Sequence, residues 1–236
     1  MAEFVERTGH IFHSTCDVVT VTVNCEGVMG AGIALTAKLR WPAMFERYER
    51  LCADGKLTPG KLWLWHDPSA EPRHRVLCFP TKDRWRAPSR LDYIESGLAK
   101  LASTYREHEI STIAMPHLGC SHGGLEWGTV QPLIHEALGS CDDLTVELWA
   151  FDPDAADPDF DRLRSALGGL DARETAGLLG IRSNQAATLL EAVTEGSGRS
   201  LVSLQSVRGV GERTLQAVYD HLFRPATDGG EQQELF

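Results

Sequence analysis

Two glycine-rich segments contain the residues of this sequence best suited to binding an anion. Residues 24–34 follow a β-branched run and open a helix-like stretch, and residues 118–125 have the same placement. A glycine turn at a helix N-terminus points backbone N–H groups at an anion, and the helix dipole adds attraction. Either turn alone could be purely structural, but the pair predicts a pyrophosphate held from both sides. Gly30-Ala31-Gly32 lacks the third glycine of the dinucleotide fingerprint, and neither segment is a P-loop, so ATP hydrolysis and ordinary NAD binding are disfavoured.

A short cationic run surrounds Trp85, and its members are Lys82, Arg84, Arg86 and Arg90. Cations interleaved with an aromatic side chain suit single-stranded nucleic acid, with phosphates on the arginines and a base stacked on the indole. The alternative is a charged loop with one packed tryptophan. The formal net charge of −10 argues against bulk attraction to nucleic acid, so any such contact must be local.

The elements that would position these residues alternate between strand and helix patterns over the first 150 residues. Strands are predicted at residues 4–12, 18–23, 62–65, 76–79, 110–115 and 144–151. Helices are predicted at residues 32–40, 42–52, 91–106 and 130–138. This alternation predicts a three-layer α/β/α domain over residues 1–152.

The rest of the chain has a different pattern. Residues 153–164 are rich in Asp and Pro and are predicted to be a linker, and residues 165–225 read as a small all-α domain. Within that domain, residues 180–186 and 209–215 superpose with an offset of 29, which predicts a degenerate internal repeat. Residues 226–236 are predicted to form a flexible tail.

Composition narrows the class of protein. The 42% hydrophobic and 24% charged residues are typical of a folded globular chain. The six cysteines form no Cys-x-x-Cys pair, so we expect reduced thiols and no metal site. No apolar stretch is long enough to span a membrane and the N-terminus is acidic, so we expect a cytoplasmic protein without membrane contact.

Three separated segments, residues 23–34, 79–89 and 116–127, together resemble those of the macrodomain family. Within that family they are most similar to DNA ADP-ribosyl glycohydrolases of the DarG kind, and the resemblance covers about residues 1–150. It implies an ADP-ribose cleft, no cofactor, and hydrolytic removal of ADP-ribose from ADP-ribosylated DNA bases. Three alternatives remain open: a non-catalytic ADP-ribose reader, a hydrolase of protein-linked ADP-ribose or ADP-ribose 1″-phosphate, and an antitoxin that neutralises an ADP-ribosyltransferase toxin.

The resemblance also implies roles for individual residues. Lys82 and Asn24 would be catalytic, Asn24 by orienting the distal ribose. The implied ligand contacts are His10, Ile11, Asn24, Met29, Gly30, Ala31, Gly32, Ile33, Thr81, Leu118, Gly119, Cys120, Ser121, His122, Gly123 and Gly124. Lys82 could attack as a neutral amine, activated by burial or by Arg84 and Arg86, or it could remain charged and stabilise the departing base.

Two positions depart from the family pattern. Gly9-His10-Ile11 stands where macrodomains usually have Gly-Asp-Ile, so His10 would accept the adenine amino group in place of the Asp, or would be an ordinary strand-end histidine. Gly123 stands where some relatives carry an Asp that helps to release a lysine adduct, which puts an Asp-assisted step in doubt.

The C-terminal third carries two further resemblances. Residues 207–222 resemble a helix-hairpin-helix motif, which would bind DNA phosphate through the backbone at Gly209 and Gly211 and through Arg213. The alternative is a helical packing domain in which the glycines only make the turn. The last five residues resemble the Gln-x-x-Leu-Phe peptide that docks on the bacterial sliding clamp, with Gln232, Leu235 and Phe236 as anchors.

Overall fold

A computed structural model describes residues 1–66, 75–194 and 198–224, and the backbone of residues 233–235. The strands are β1 Glu3–Thr8, β2 Val18–Val23, β3 Trp63–His66, β4 Arg75–Pro80, β5 Thr112–Pro116, β6 Thr145–Ala150 and β7 Gln233–Leu235. They form one sheet in the order β1-β6-β5-β2-β4-β3-β7. The pairs β1–β6, β6–β5, β5–β2 and β2–β4 are parallel, whereas β3 is antiparallel to both β4 and β7.

Helices cover both faces of the sheet. They are α1 Gly32–Arg40, α2 Pro42–Ala53, α3 Leu91–Thr104 and α4 Trp127–Leu138. Because successive side chains of a strand point to opposite faces, Leu77 and Phe79 of β4 pack against α3 and α4, while Val76 and Cys78 pack against α1 and α2. The sequence-based prediction of a three-layer α/β/α domain is therefore confirmed.

A helical region follows the sheet. It consists of α5 Pro158–Leu167, α6 Ala172–Leu179, α7 Ser183–Thr194 and α8 Glu212–Phe223. Helices α7 and α8 begin 29 residues apart, and each follows a glycine with positive φ, Gly180 at +64° and Gly209 at +90°. The buried positions repeat with the same offset: Ala186 corresponds to Leu215, Leu189 to Val218, and Val193 to Leu222. These matches support the internal repeat.

The segment predicted to be a linker differs from that prediction, because α5 begins inside it at Pro158. Asp157 is the N-cap, and its side chain accepts hydrogen bonds from the backbone N–H groups of Asp159 and Phe160. Pro at the first helical position suits a helix start, since the missing N–H would have no intrahelical partner. The Asp and Pro residues that indicated a linker are thus partly helix-start residues.

The helical region packs on α1. Leu35 and Leu39 of α1 share one buried cluster with residues of α5 to α8, while Ala37 faces the cluster under the sheet. Polar contacts border this packing: Gln205 Nε2 donates to Thr36 Oγ1 at 2.9 Å, and Gln216 Nε2 donates to the Leu39 carbonyl at 3.1 Å. Helix α1 is therefore held between the sheet and the helical region.

The chain end also differs from the predicted flexible tail, because the backbone of Gln233–Leu235 forms β7 at the edge of the sheet. Gln232 and Phe236, two anchors of the predicted clamp peptide, lie outside the described residues. Within the described part of the chain, no helix has the length and apolar character needed to cross a membrane.

Candidate functional site

The carboxyl ends of the parallel strands bring the predicted site residues to one edge of the sheet. His10 lies just beyond β1, Asn24 directly follows β2, Lys82 lies two residues beyond β4, and residues 117–124 follow β5. Ligands of open α/β sheets bind at this edge. Parallel pairing thus joins segments that are up to about a hundred residues apart in the chain.

Asn24 organises the first glycine-rich loop. Its Nδ2 donates to the Val28 carbonyl at 2.6 Å, and its Oδ1 accepts from the Glu26 N–H at 2.9 Å. The Tyr48 hydroxyl donates to the Asn24 carbonyl at 2.7 Å from beneath the loop. An amide nitrogen carries two donors, so one N–H of this buried side chain remains for a ligand.

The start of α1 has the features of a helix N-terminus that can bind an anion. Ala31 is the N-cap and its side chain caps nothing, so the first N–H groups of the helix have no side-chain acceptor. Gly30 and Ala31 are exposed, and Gly32 has a φ of +57°. The backbone is therefore open to a phosphate where the helix dipole is positive.

The second loop faces the first across the cleft. A methyl group built on Gly32 would lie 3.7 Å from Nδ1 of His122, so the two loops approach each other closely. Gly119 and Gly124 have positive φ values of +69° and +78°, and the 3-10 turn Ser121–Gly123 lies between them. His117 stacks on Trp127 with ring centroids 3.7 Å apart, which braces the start of the loop.

Several predicted contact residues can offer only their backbone to a ligand. The side chains of Ile11, Met29 and Leu118 are buried in the hydrophobic core. Gly123 is also buried, and a methyl group there would lie 2.4 Å from Ser89 Oγ, so it packs against the neighbouring segment. By contrast, Ser121, His122 and Gly124 are exposed. The remaining predicted contacts are Ile33, Gly119, Cys120 and Thr81. Ile33 and Cys120 are partly exposed, whereas Gly119 and Thr81 are buried, and Thr81 accepts a hydrogen bond from the Ser89 hydroxyl.

Lys82 bridges the two loops. Its Nζ donates to the His122 carbonyl at 2.8 Å, and its own carbonyl lies 3.5 Å from Cys25 Sγ. Partial burial lowers the pKa of Lys82. Burial is the only cause of this shift, so the expectation that Arg84 and Arg86 would contribute is not supported. The side chain is positioned at the point where the two glycine-rich loops meet.

The cationic run beside Lys82 is exposed and attached to the first loop. The Trp85 N–H donates to Glu26 Oε2 at 2.9 Å, and the indole is 46% exposed with the Arg86 guanidinium 4.6 Å from its ring centroid. Arg84 is exposed, whereas Arg90 forms a two-point ion pair with Asp92. Trp85 thus offers an aromatic surface at the mouth of the cleft.

The opposite end of the cleft contains His10 and an aromatic residue that the sequence patterns did not single out. His10 is 6% exposed, both of its ring nitrogens are buried, and the backbone of Ala155 interacts with the imidazole. Burial lowers its pKa, so the imidazole is neutral at physiological pH. Phe151 directly follows β6, is 59% exposed, and has its ring centroid 5.6 Å from that of His10. An aromatic residue at the carboxyl end of a predicted strand was the signal available in the sequence.

One group of side chains outside this cleft has the spacing of a metal site among the described residues: His13, Asp157 and Asp159. The Arg40 guanidinium lies 3.5 Å from Asp159 Oδ2, and His13 Nε2 lies 3.5 Å from each carboxylate. Protonated His13 and Arg40 balance the two carboxylates, so the geometry is that of an ion-pair cluster.

The predicted DNA-binding hairpin lies at the start of α8. Gly211 is the N-cap without a side-chain cap, and Arg213 is exposed. Gly209 packs close to Thr188 of α7, since a methyl group there would lie 3.1 Å from Thr188 Cγ2. Glu212 pairs with Lys38 of α1 at 2.6 Å, which fixes the hairpin against α1.

Comparison with known proteins agrees with this geometry. The macrodomain family model, described as "Macro domain", matches residues 21–134. A DNA ADP-ribosyl glycohydrolase of Mycobacterium tuberculosis is 38% identical over 142 residues, which are 60% of this chain and 40% of that protein. This chain thus spans about 40% of the length of the curated relatives it matches.

Two solved structures are similar as well. The macrodomain of Mycobacterium tuberculosis DarG matches with a TM-score of 0.61 and 36% identity, covering 64% of this chain and all of that one. Thermosipho africanus DarTG in complex with ADP-ribose matches with a TM-score of 0.58 and 32% identity, covering 65% of this chain and 43% of that one. Matched in both sequence and fold, the chain belongs to the macrodomain family.

Proposed function

We propose that this protein hydrolyses the bond between ADP-ribose and a DNA base. The observation that carries the proposal is the position of Lys82, whose Nζ reaches the second loop at 2.8 Å where the two loops meet. A substrate with its pyrophosphate on the start of α1 would extend its distal ribose toward this lysine. The similarity to DNA ADP-ribosyl glycohydrolases supports the reaction class.

Each end of the cleft suits a different part of the substrate. The neutral His10 imidazole accepts a hydrogen bond from the adenine amino group, and Phe151 provides a face for the ring. At the other end, Trp85 stacks on a base of the modified strand while Arg84 and Arg86 contact its phosphates. Asn24 uses its remaining N–H to orient the distal ribose.

Two mechanisms remain compatible with the position of Lys82. A pKa lowered by burial increases the fraction of neutral amine, which could attack the anomeric carbon and form a bond to it as the bond to the DNA base breaks. The base would leave with a proton, and water would then hydrolyse the lysine adduct to release ADP-ribose and the free lysine. A protonated Lys82 would instead stabilise negative charge on the departing base. In both cases the lysine contributes to bond cleavage more than to ligand binding.

The test compares wild type with Lys82→Ala. Each protein is incubated with an oligonucleotide carrying ADP-ribose on one base and, separately, with an ADP-ribosylated protein, and products are measured by mass spectrometry. We expect wild type to release ADP-ribose from the oligonucleotide and Lys82→Ala to lose at least about 100-fold in rate, the scale of one general acid–base or electrostatic group. ADP-ribose affinity should stay within about threefold, because the glycine loops hold the pyrophosphate.

Three outcomes would contradict the proposal in different ways. Binding of ADP-ribose by wild type without cleavage would identify a reader. Cleavage of the protein substrate in preference to the oligonucleotide would assign protein-linked ADP-ribose, and ADP-ribose 1″-phosphate can be assayed alongside it. Near-normal turnover in Lys82→Ala would remove this lysine from the mechanism.

The C-terminal third would bring the enzyme to its substrate. We assign nonspecific duplex binding to the repeated hairpins, through backbone N–H groups at Gly211 and through Arg213, and sliding-clamp docking to Gln232, Leu235 and Phe236. A synthetic peptide of residues 228–236 tests the second assignment directly.

A role as antitoxin to an ADP-ribosyltransferase predicts that the two genes are adjacent and that co-expression relieves toxicity.

A further inference from the structure

We propose that the helical region is part of the ligand cleft, because it holds residues 152–157 as a strap against the strand end that carries His10. The inference rests on the proposed binding of ADP-ribose. It makes His13, Arg199 and Asp157 positioning residues for the nucleobase end of the cleft. The strap would then connect, functionally, two regions that the sequence patterns predict to be separate domains.

The strap is an ordered turn that lies on Gly9. The Asp152 side chain accepts a hydrogen bond from the Asp154 N–H at 2.9 Å, and the Asp152 carbonyl accepts from the Ala155 N–H at 3.3 Å. Gly9 has a φ of +129°, and a methyl group there would lie 3.4 Å from Cβ of Ala155. The strap therefore contacts the backbone immediately before His10.

The helical region anchors the strap at two points. Arg199 Nη1 pairs with Asp154 Oδ1 at 2.7 Å. The Leu201 N–H donates to Asp157 Oδ2 at 2.8 Å, and the other oxygen of this buried carboxylate caps α5. Arg199 and Leu201 belong to the segment between α7 and α8, so the strap cannot move without disturbing the helical region.

His13 provides a third anchor from the macrodomain side. It lies in the 3-10 turn Ile11–His13 that directly follows His10, and its Nε2 is 3.5 Å from Asp157 Oδ1 and from Asp159 Oδ2. These two carboxylates raise the pKa of His13 to about 9, so it is charged at neutral pH. The other charged or titratable groups around this cluster are His10, Asp152, Arg40 of α1, Arg162 of α5 and Tyr219 of α8.

These contacts link strap position to nucleobase binding. The strap residue Ala155 lies against His10 as well as against Gly9. Its backbone interacts with the imidazole, and both ring nitrogens are buried. A rigid strap keeps the imidazole and the neighbouring Phe151 in place before the ligand arrives. Pre-organisation of this kind raises affinity because less ordering is required on binding.

The test uses the full chain and isothermal calorimetry with two probes, ADP-ribose and its inosine analogue, which lacks the adenine amino group. Arg199→Ala removes an exposed ion pair and should weaken ADP-ribose binding about two- to fivefold. His13→Gln removes a charged anchor and should weaken it about tenfold. Both variants should affect the inosine analogue less, because that probe gains less from His10.

Arg164→Ala is the matched control. Arg164 also forms an exposed 2.7 Å ion pair, with Asp161 on α5, but it does not touch the strap. Its ADP-ribose affinity should equal that of wild type. Hydrogen exchange at residues 9–13, measured without ligand, should increase in Arg199→Ala and His13→Gln and remain unchanged in Arg164→Ala.

The pH dependence separates an anchor from a general fold defect. Wild-type ADP-ribose affinity should fall as the pH rises from about 8 through 9, because His13 loses its charge there. The affinity of His13→Gln should change little over this range, so the two proteins should become similar at high pH. Unchanged affinity and exchange in both strap variants would overturn this inference while leaving the hydrolysis proposal intact. Binding of ADP-ribose by wild type without cleavage would do the reverse.

Discussion

At the scale of single residues, the same residue type serves different purposes in the two glycine-rich loops. Gly30 is exposed, and the nearest atom to a methyl group built there is Val28 Cγ1 at 3.9 Å. Gly123 is buried, and its missing side chain leaves room for Ser89. A bulky residue is therefore expected to block a ligand directly at Gly30, whereas at Gly123 it would first disturb the packing against Ser89.

This contrast gives a prediction for paired variants. Gly30→Val should weaken ADP-ribose binding at least about tenfold with little change in stability, because the added side chain occupies space beside the start of α1, where we propose that the pyrophosphate binds. Gly123→Ala should lower the free energy of unfolding by about 1–3 kcal/mol, because the methyl group overlaps Ser89. Calorimetry with ADP-ribose and urea denaturation measure the two effects.

A matched control is available on an exposed helix. A methyl group added to Gly177 of α6 would meet no atom within 4 Å, and this residue lies outside the cleft, so Gly177→Ala should leave ligand affinity unchanged. Ser89→Gly combined with Gly123→Ala should recover part of the lost stability. If Gly123→Ala were as stable as wild type but bound ADP-ribose poorly, Gly123 would belong to the ligand surface after all.

At the scale of elements, α1 joins the first glycine-rich loop to the helical region. Its N-terminus lies at the cleft, and Leu35 and Leu39 are buried against the helical region. Leu39→Ala should therefore reduce the free energy of unfolding by about 2–5 kcal/mol, the range for truncating a buried leucine. Leu178→Ala, at a residue 45% exposed on α6, should cost well under 1 kcal/mol in the same denaturation assay. Equal losses would mean that α1 is not a buried junction.

The contact between the 3-10 turn and α5 should make stability depend on pH. The pKa of His13 is raised to about 9 in the folded protein from an unfolded value near 6.5. Its stabilising contribution is thus complete below about pH 6.5 and is lost as the pH rises through about 9. Urea midpoints of wild type should decline over this range relative to those of His13→Gln. Parallel curves for the two proteins would show that His13 does not carry this charge.

At the scale of the whole molecule, the helical region packs on the macrodomain through the buried face of α1. Removing residues 165–236 would expose Leu35 and Leu39, so truncation is a poor test of DNA binding. Single substitutions on the exposed hairpin are more informative. Because the overall charge is −10, the proposed DNA contacts would have to be local, at the hairpins and at the cationic run beside Lys82.

Duplex binding by the hairpin should appear in its salt dependence. Arg213→Ala should reduce the slope of log affinity against log salt concentration by about one unit if Arg213 contacts one phosphate. Arg173→Ala, at an exposed position of α6 away from the Gly209–Gly211 turn, is the control and should keep the wild-type slope. Identical slopes in wild type and Arg213→Ala would favour a helical region that only packs.

The sequence alone determined the alternation of strands and helices, the positions of both glycine turns, and the repeat offset of 29. These features depend on local patterns: Val18–Val23 is a β-branched run, and Gly32–Arg40 begins at a glycine turn, so both elements have the predicted bounds. Lys82 and Asn24 were singled out through the family resemblance of three separated motifs, and their catalytic roles stay predictions.

Only the tertiary structure decided which of these residues share a site and which face the core. The burial of Gly123 against Ser89, the pairing of His13 with Asp157, and the packing of Leu35 and Leu39 on the helical region join residues far apart in the chain. Asp157 looked like part of a linker because an Asp- and Pro-rich segment has the same composition whether it is a linker or a helix start. The composition does not show that Asp157 caps α5 and pairs with His13. Side-chain direction and long-range contacts arise when the elements pack, so no local pattern records them.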